Sequence, residues 1–200
     1  PESLPTKAWY ARHLAASLAL ILLRQGDAVG LAAFHDRTVL RVAAKGGRKQ
    51  WHELARRLAR LEVRGGTAAQ SALKDLAVRL RRRGLVILLS DLLVDTDETR
   101  TALHFLRHRG HEVLVFHLMD PGERDLPATS DARFFDPESL EELQVTVADM
   151  REEYRAAVTA AIAEWERTLK PQGIDYQVIE TDQPLTRALR SYLRKRERLG

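Results

Sequence analysis

The chain has 200 residues, of which 44% are hydrophobic and 30% charged, and its net charge is +4. This balance is typical of one globular domain and excludes an extended disordered chain. The absence of cysteine excludes disulfides, zinc–thiolate sites and thiol nucleophiles, and it predicts a reducing, cytoplasmic setting. The most apolar run, Leu14 to Leu23, is half as long as the roughly 20 residues of a membrane span. We therefore predict a buried helix there, and no membrane span.

The first part of the chain predicts a helix, two strands and two further helices. The first helix runs from about Pro5 to Gln25, and a Gly-Asp pair ends it. The segments DAVGLAAFHD and TVLRVAAK are predicted strands, and their short connection indicates an antiparallel hairpin. Two helices with apolar stripes follow, and the loop RGGT, which ends at Thr67, separates them.

The second part alternates strands and helices. GLVILLSD, EVLVFHLMD and IDYQVIE are predicted strands, and helices follow them near Thr99, Ala148 and Pro184. The segment at about 121–147 is predicted to be a small irregular insertion with a hairpin from ARFFD and LQVTV. The alternation predicts one α/β domain over residues 1–200, a mostly parallel sheet covered on both faces. The apolar run that begins at Leu85 is typical of a central strand of such a sheet.

Several carboxylates follow the predicted strands. In an open α/β sheet, ligands bind beyond the carboxyl ends of the strands, so these acids share one edge. They are Asp91, Asp120, Glu180 and Asp182. Oxygen ligands at this edge would suit Mg²⁺, and Thr67 lies on a loop that approaches the same edge. A structural interpretation competes at each position, since Thr67 and Gln70 fit a capping box and the aspartates fit turns or caps.

The strand and loop motifs together resemble one family. RQGDAVGLAAF, the RGGT loop, RRRGLVILLSDLL, RHRGHEVLVFHLMDP and GIDYQVIETDQPL occur in the order found in bacterial von Willebrand factor A-like proteins grouped as "domain of unknown function fifty-eight". The resemblance implies a Rossmann-like three-layer fold, mostly parallel, with one antiparallel edge strand. It also implies that Thr67 and Asp91 are two elements of a metal-ion-dependent adhesion site.

Thr67 and Asp91 match the second and third elements of that site, but the first element is missing from this sequence. No D-x-S-x-S occurs, although in relatives it ends a strand just before the helix that begins here near Pro5. The resemblance therefore implies that the first central strand is absent from this chain and that upstream residues supply it. Metal binding, with Mg²⁺ as the expected ion, is then an expectation for the intact protein only.

The leading functional hypothesis is a non-catalytic protein–protein interaction module. The family resemblance implies a MoxR-type AAA+ ATPase, or its client, as the partner. Two alternatives stay open: a metal-assisted hydrolase or phosphoryl-transfer domain that uses the carboxylates, and a weak nucleic-acid binder that uses the basic clusters RRR and RSYLRKRERLG. We expect no catalysis, since glycine-rich phosphate loops and the nucleophile elbow are absent from the sequence. We also expect no nucleic acid, since both basic clusters follow predicted helices, where cations offset the helix dipole, and aromatic residues are only 6% of the chain.

We interpret four histidines and the three tryptophans as structural residues. His104, His108 and His111 are predicted to be surface residues near a helix end, and His117 a satisfied core residue. The three tryptophans are predicted to lie in the core; they are Trp9, Trp51 and Trp165.

Overall fold

The computed structural model describes residues 5–34, 38–61, 69–80, 82–93, 96–125, 134–135, 142–143 and 147–197. These described residues form a mixed α/β structure with helices and strands in the predicted order. The helices are α1 (Lys7–Arg24), α2 (Arg48–Ala59), α3 (Ala69–Arg79), α4 (Thr96–His108), α5 (Pro121–Arg124), α6 (Val147–Leu169) and α7 (Leu185–Glu197). The strands are β1 (Val29–Phe34), β2 (Thr38–Lys45), β3 (Leu85–Ser90), β4 (Glu112–Met119), β5 (Phe134–Phe135), β6 (Glu142–Leu143) and β7 (Asp175–Glu180).

Three strands form the parallel sheet, in the order β3-β4-β7. The register pairs Ser90 with His117 and Met119 with Glu180, so all three strands end at the same edge. Every residue of β4 from Val113 to Met119 is buried, because this strand has a neighbour on each side and helices on both faces. The predicted parallel sheet is confirmed. Within the described residues, however, its middle strand is β4, and β3 pairs on one side only.

The predicted hairpin is also confirmed, as a separate two-stranded sheet. β1 and β2 pair antiparallel, and Gly30 is required there because a Cβ would lie 2.8 Å from the carbonyl oxygen of Val42. The buried side chain of Gln50 in α2 donates hydrogen bonds to the carbonyl oxygens of Val29 and Ala43, at 2.7 and 3.0 Å. Among the described residues, neither strand of the hairpin pairs with β3, although α1 contacts both β1 and β3.

Two apolar clusters fill the space between the sheet and its helices. On one face, α3, α4 and α6 contribute buried residues such as Leu103 and Trp165. On the other face, Tyr10 of α1 and Tyr192 of α7 pack with Phe116. Burying each large apolar side chain contributes about 1.5–3 kcal/mol, so both layers of helices are fixed to the sheet.

The segment between β4 and α6 contains the short pair β5 and β6, in which Phe134 lies opposite Leu143. This pair occurs where the sequence predicts a small hairpin. In the part of the chain that the structure describes, no helix combines the length and the apolar character that crossing a membrane requires.

Candidate functional site at the carboxyl edge of the sheet

Asp91 lies directly after β3, in a turn closed by two side chains. The hydroxyl oxygen of Ser90 accepts a hydrogen bond from the backbone N–H of Leu92 at 3.1 Å. The Asp91 Oδ1 atom accepts one from the N–H of Leu93 at 3.3 Å. Ser and Asp side chains commonly close turns in this way. We call residues 90–93 the Asp91 turn; it places Asp91 at the predicted edge.

The backbone of the Asp91 turn is strained at Leu92. Its φ of 53° lies in the left-handed region, and it is the one non-glycine residue of the described chain with positive φ. This conformation costs a branched L-residue about 1–2 kcal/mol. The Leu92 side chain is only 5% exposed, so its burial in the core under the turn offsets the strain. Strain of this kind concentrates at functional sites, and the strained residue here follows Asp91 directly.

A lysine joins Asp91 to a second carboxylate. The Lys7 ammonium lies 3.0 Å from Asp91 Oδ2 and 2.5 Å from Glu123 Oε1. The three side chains are partly exposed, at 25%, 38% and 38%. We call Lys7, Asp91 and Glu123 the charged triad. It combines the first turn of α1, the end of β3 and the short helix after β4.

Local caps hold Lys7 and Glu123 in place. Thr6 is the N-cap of α1, and its hydroxyl accepts a hydrogen bond from the N–H of Trp9 at 3.1 Å. Asp120 and Glu123 form the capping box of α5, in which Glu123 Oε2 accepts from the Asp120 N–H at 3.1 Å. The sequence interpretation missed Lys7 and Glu123. The capping signal D-P-G-E was available for Glu123, but nothing local marks Lys7 as a partner of Asp91.

The charge of Lys7 is stabilised in the folded protein. Burial alone would lower the pKa of its ammonium, but the hydrogen bonds and charges of Glu123 and Asp91 outweigh burial and raise that pKa above 10.5. Lys7 is therefore a fixed cation between two carboxylates at physiological pH.

Two of the other three predicted carboxylates, Asp120 and Glu180, have structural contacts at the same edge. Asp120 Oδ1 accepts a hydrogen bond from the Gly122 N–H at 2.9 Å, as expected of a turn residue. Glu180, at the end of β7, forms an ion pair with Arg124 and accepts from Gln183 Nε2 at 2.8 Å. Asp182 is exposed. Thr67 lies outside the described residues, so its approach to Asp91 stays a prediction.

The described residues do not fit a divalent cation as they stand. Among them, no group of three histidine, aspartate or glutamate side chains is close enough to hold a metal. One oxygen of Asp91 already contacts the Lys7 ammonium, which occupies the position of a counter-ion. A single carboxylate with a bound lysine lacks the several oxygen ligands that Mg²⁺ takes from a protein site.

A buried polar pair lies beneath the charged triad. His117 of β4 and Tyr176 of β7 are each 7% exposed, and the His117 Nδ1 atom is 2.6 Å from the Tyr176 hydroxyl oxygen. Burial lowers the pKa of His117, although a hydrogen bond to the backbone of Asp91 and the charges of Asp91 and Glu123 oppose this shift. His117 is thus a satisfied core residue, as predicted, and it links β7 to the Asp91 turn.

The histidines of α4 differ from the sequence interpretation in one respect. His108 is exposed and His104 half-buried, but His111 is 2% exposed, so its prediction as a surface residue is wrong. His111 follows the turn that ends α4, where its N–H bonds the Leu106 carbonyl oxygen at 3.2 Å and draws the chain back towards the sheet.

The fold and this edge define a mixed α/β domain whose parallel strands end in a cluster of charged side chains. The family model described as "Protein of unknown function DUF58" matches residues 3–164. The chain therefore belongs to this family, as its motifs predict.

Curated relatives come from mycobacteria. Uncharacterized protein Rv1480 of Mycobacterium tuberculosis is 30% identical over 178 residues, which cover 84% of this chain and 55% of the relative. Uncharacterized protein MAV169 of Mycobacterium avium is 29% identical over 164 residues, covering 79% of this chain and 95% of that protein. The chain thus spans about half the length of Rv1480. No solved structure matches the chain.

Replacing Lys7 with methionine is expected to lower the free energy of unfolding by about 1 kcal/mol at pH 7, because Asp91 and Glu123 lose their shared cation. The folded pKa of Lys7 is raised above 10.5, so its contribution is complete below pH 10.5 and is lost as the pH rises through the folded value. The deficit of the variant, measured by urea unfolding, should therefore be constant from pH 7 to about pH 10 and shrink only above pH 10.5.

Lys170→Met is the matched control for Lys7→Met. Lys170 pairs with Glu166 along a single helix segment, and both side chains are exposed, at 58% and 44%. Its loss should cost well under 1 kcal/mol at either pH, as is usual for exposed pairs. Equal deficits for the two variants at pH 7 would contradict a special role for Lys7.

Proposed function

We propose that this chain is a non-catalytic protein–protein interaction module of von Willebrand A type, which binds its partner at the carboxyl edge of the parallel sheet. The observation that carries the proposal is the presentation of Asp91. Its carboxylate is partly exposed on a strained turn, and the Lys7 ammonium of the charged triad also holds it in place. A rigid, exposed charge of this kind recognises a partner at low entropic cost, and it favours specificity through charge complementarity.

The arrangement of the two sheets supports the von Willebrand A type. β1 and β3 each pair on one side only within the described residues, and α1 packs against both strands. A further strand between them would pair the remaining backbone groups, whose burial without partners is costly. We propose that an upstream segment ending in D-x-S-x-S supplies this strand. Metal assistance belongs to the proposal only where that loop is present, and no metal step is assigned to the residues described here.

The proposed partner is a MoxR-type AAA+ ATPase or the client that such an ATPase remodels. This choice rests on the family resemblance. The charged triad is compatible with it, since a cation and two carboxylates offer contacts to basic and acidic side chains alike.

Neither alternative function receives comparable support. A hydrolase or phosphoryl-transfer site would need the carboxylates to converge, whereas Asp120 caps α5 and Asp182 is exposed. A nucleic-acid site at the RRR cluster would lie at the amino end of β3, where Arg82 and Arg83 are exposed, away from Asp91.

The proposal is tested by the effect of Asp91→Ala on binding to a co-expressed MoxR-type ATPase. A protein with its upstream residues should bind the ATPase, and Asp91→Ala should weaken the dissociation constant at least about tenfold, equivalent to roughly 1.4 kcal/mol. The substitution should leave the circular dichroism spectrum unchanged, because Lys7 keeps its contact with Glu123.

Asp97→Ala is the control for the binding experiment. Asp97 is 90% exposed in the first turn of α4, close in sequence to Asp91, and its ion-pair partner Arg100 has a second carboxylate partner, Glu164. This variant should bind like the wild type. If Asp91→Ala also retains full affinity, the carboxyl edge is not the binding surface.

A further inference from the structure

A groove with a volume of about 820 Å³ runs beside β7. One wall is β7 together with Leu114 of the neighbouring strand β4, and the other is α7. No member of the charged triad lines the groove. Its principal lining residues are Asp175, Gln177, Thr186, Arg187, Arg190 and Ser191.

Strand β7, which forms part of one wall of the groove, is at the edge of the sheet within the described residues. In the described part of the chain, β7 pairs with β4 alone, so the backbone groups on its other side have no strand partner. β7 has six residues, Asp175–Glu180, and at about 3.3 Å per residue it presents an edge about 20 Å long. Such an edge is a template for another extended chain, and proteins that leave one open often use it to bind peptides.

The helix wall is fixed in place and carries unpaired positive charge. Ala188 of α7 packs in the apolar cluster with Ile179 of β7, and the Ser191 hydroxyl donates a hydrogen bond to the Gln177 side-chain oxygen. Arg187 and Arg190 are exposed beside these contacts. Neither guanidinium is within ion-pair distance of a carboxylate among the described residues.

Other arginines of the described chain do have carboxylate partners. Examples at helix surfaces are Arg79, Arg100, Arg124, Arg151, Arg155 and Arg167. Other arginines, such as Arg24, Arg48 and Arg60, have no carboxylate partner among the described side chains either. What distinguishes Arg187 and Arg190 is that both line one groove beside a strand with a free edge. One acidic residue, Asp175, also lines the groove and has an interaction of its own. The positive charge of the groove is concentrated where Arg187 and Arg190 lie.

We infer that this groove binds an extended acidic segment of a partner protein, which adds a strand to β7 and places acidic side chains against Arg187 and Arg190. The inference goes beyond the proposed function, because it concerns a second surface and does not involve Asp91. Alternate residues of a strand lie about 6.6 Å apart on one side. The two arginines are separated by about 4.5 Å along their helix, and their long side chains can bridge the difference. The preferred segment thus has acidic residues at alternate positions.

The experiment uses the 200-residue chain and a blocked peptide, Thr-Glu-Val-Glu-Val-Glu-Thr, with a fluorescent label. Fluorescence anisotropy should show binding that weakens as salt rises. A peptide of the same sequence with N-methyl groups at alternate backbone positions keeps the charges but cannot complete the strand ladder. It should bind at least about tenfold more weakly, because main-chain hydrogen bonds give β-addition its affinity.

The protein variants distinguish binding in the groove from an effect of the overall charge of the protein. Arg187→Glu combined with Arg190→Glu should weaken peptide binding at least about tenfold. The control, Arg60→Glu with Arg82→Glu, makes the same change in net charge at exposed positions outside the groove and should bind like the wild type. Asp91→Ala should also bind like the wild type, so failure here and failure of the proposed function are distinguishable.

Any of three comparisons would overturn the inference. They are equal affinity for the N-methylated peptide, equal losses in the two double variants, and tighter binding of single-stranded DNA of the same charge. The first would exclude strand addition, the second would place the peptide elsewhere, and the third would identify a nucleic-acid surface. Absence of peptide binding at low salt would overturn it as well.

Discussion

Replacing Leu118 with alanine is expected to lower the free energy of unfolding by about 2–5 kcal/mol. Leu118 is 3% exposed in β4, and it packs in the apolar cluster that α1 and α7 form against the sheet. Because β4 has a strand on each side, the surrounding backbone cannot collapse into the space that the lost side chain leaves. Urea unfolding, followed by circular dichroism, would measure the loss.

Leu85→Ala is the matched control, since it removes the same atoms from the neighbouring strand. Leu85 is 38% exposed at the start of β3, so its replacement should cost less than about 1.5 kcal/mol. Equal losses at the two positions would contradict the placement of β4 in the middle of the sheet.

The strands of the parallel sheet were predictable from the sequence, but their order was not. LVILL and VLVFHLM are both continuous apolar runs, and either is compatible with a central strand. Which of them is flanked on both sides depends on pairing with β7, whose residues lie about 60 positions further along the chain. Local patterns carry no information on such long-range pairing. In the structure, β4 is the strand whose residues are all buried from Val113 to Met119.

At the candidate site, the sequence predicted the position of Asp91 but not the side chains that contact it. Asp91 could be placed at the carboxyl edge because it follows a strand directly. Its contact with Lys7 spans 84 residues, and that of Lys7 with Glu123 spans 116. These contacts depend on how α1 and α5 meet above the sheet, which no local spacing specifies. The prediction that Thr67 approaches Asp91 from a neighbouring loop stays open, since that loop is outside the described residues.

The tryptophans show why helical periodicity can mislead. Trp165 is 4% exposed and lies in the core, as predicted, but Trp9 is 41% exposed, so its prediction as a core residue is wrong. α1 carries apolar residues around most of its surface, which makes its buried face ambiguous in the sequence. Tyr10 points into the core instead, and Trp9 stacks on His13 with ring centroids 3.8 Å apart.

The second large effect is expected for Tyr176→Phe, which should lower the free energy of unfolding by about 1–3 kcal/mol. Burial raises the pKa of the Tyr176 hydroxyl, with a smaller contribution from the charge of Glu166, so the hydroxyl keeps its proton. Burial lowers the pKa of His117, which is therefore neutral at pH 7 and has one N–H. That N–H donates to the backbone carbonyl oxygen of Asp91. The other ring nitrogen, Nδ1, therefore accepts a hydrogen bond from the Tyr176 hydroxyl. The variant leaves this nitrogen buried without its donor.

Tyr10→Phe is the informative control, because the same atom is removed from an equally buried site with the opposite expectation. Tyr10 is 1% exposed, and its hydroxyl has no hydrogen-bond partner among the described residues. Its removal should be neutral or stabilise the protein by up to about 1 kcal/mol, since an unsatisfied buried hydroxyl is itself unfavourable. Both variants should be unfolded at pH 7.5, above the ordinary histidine pKa of 6.5, so that proton uptake by His117 does not contribute. Equal losses would mean that the His117–Tyr176 hydrogen bond contributes nothing to holding β7 to β4.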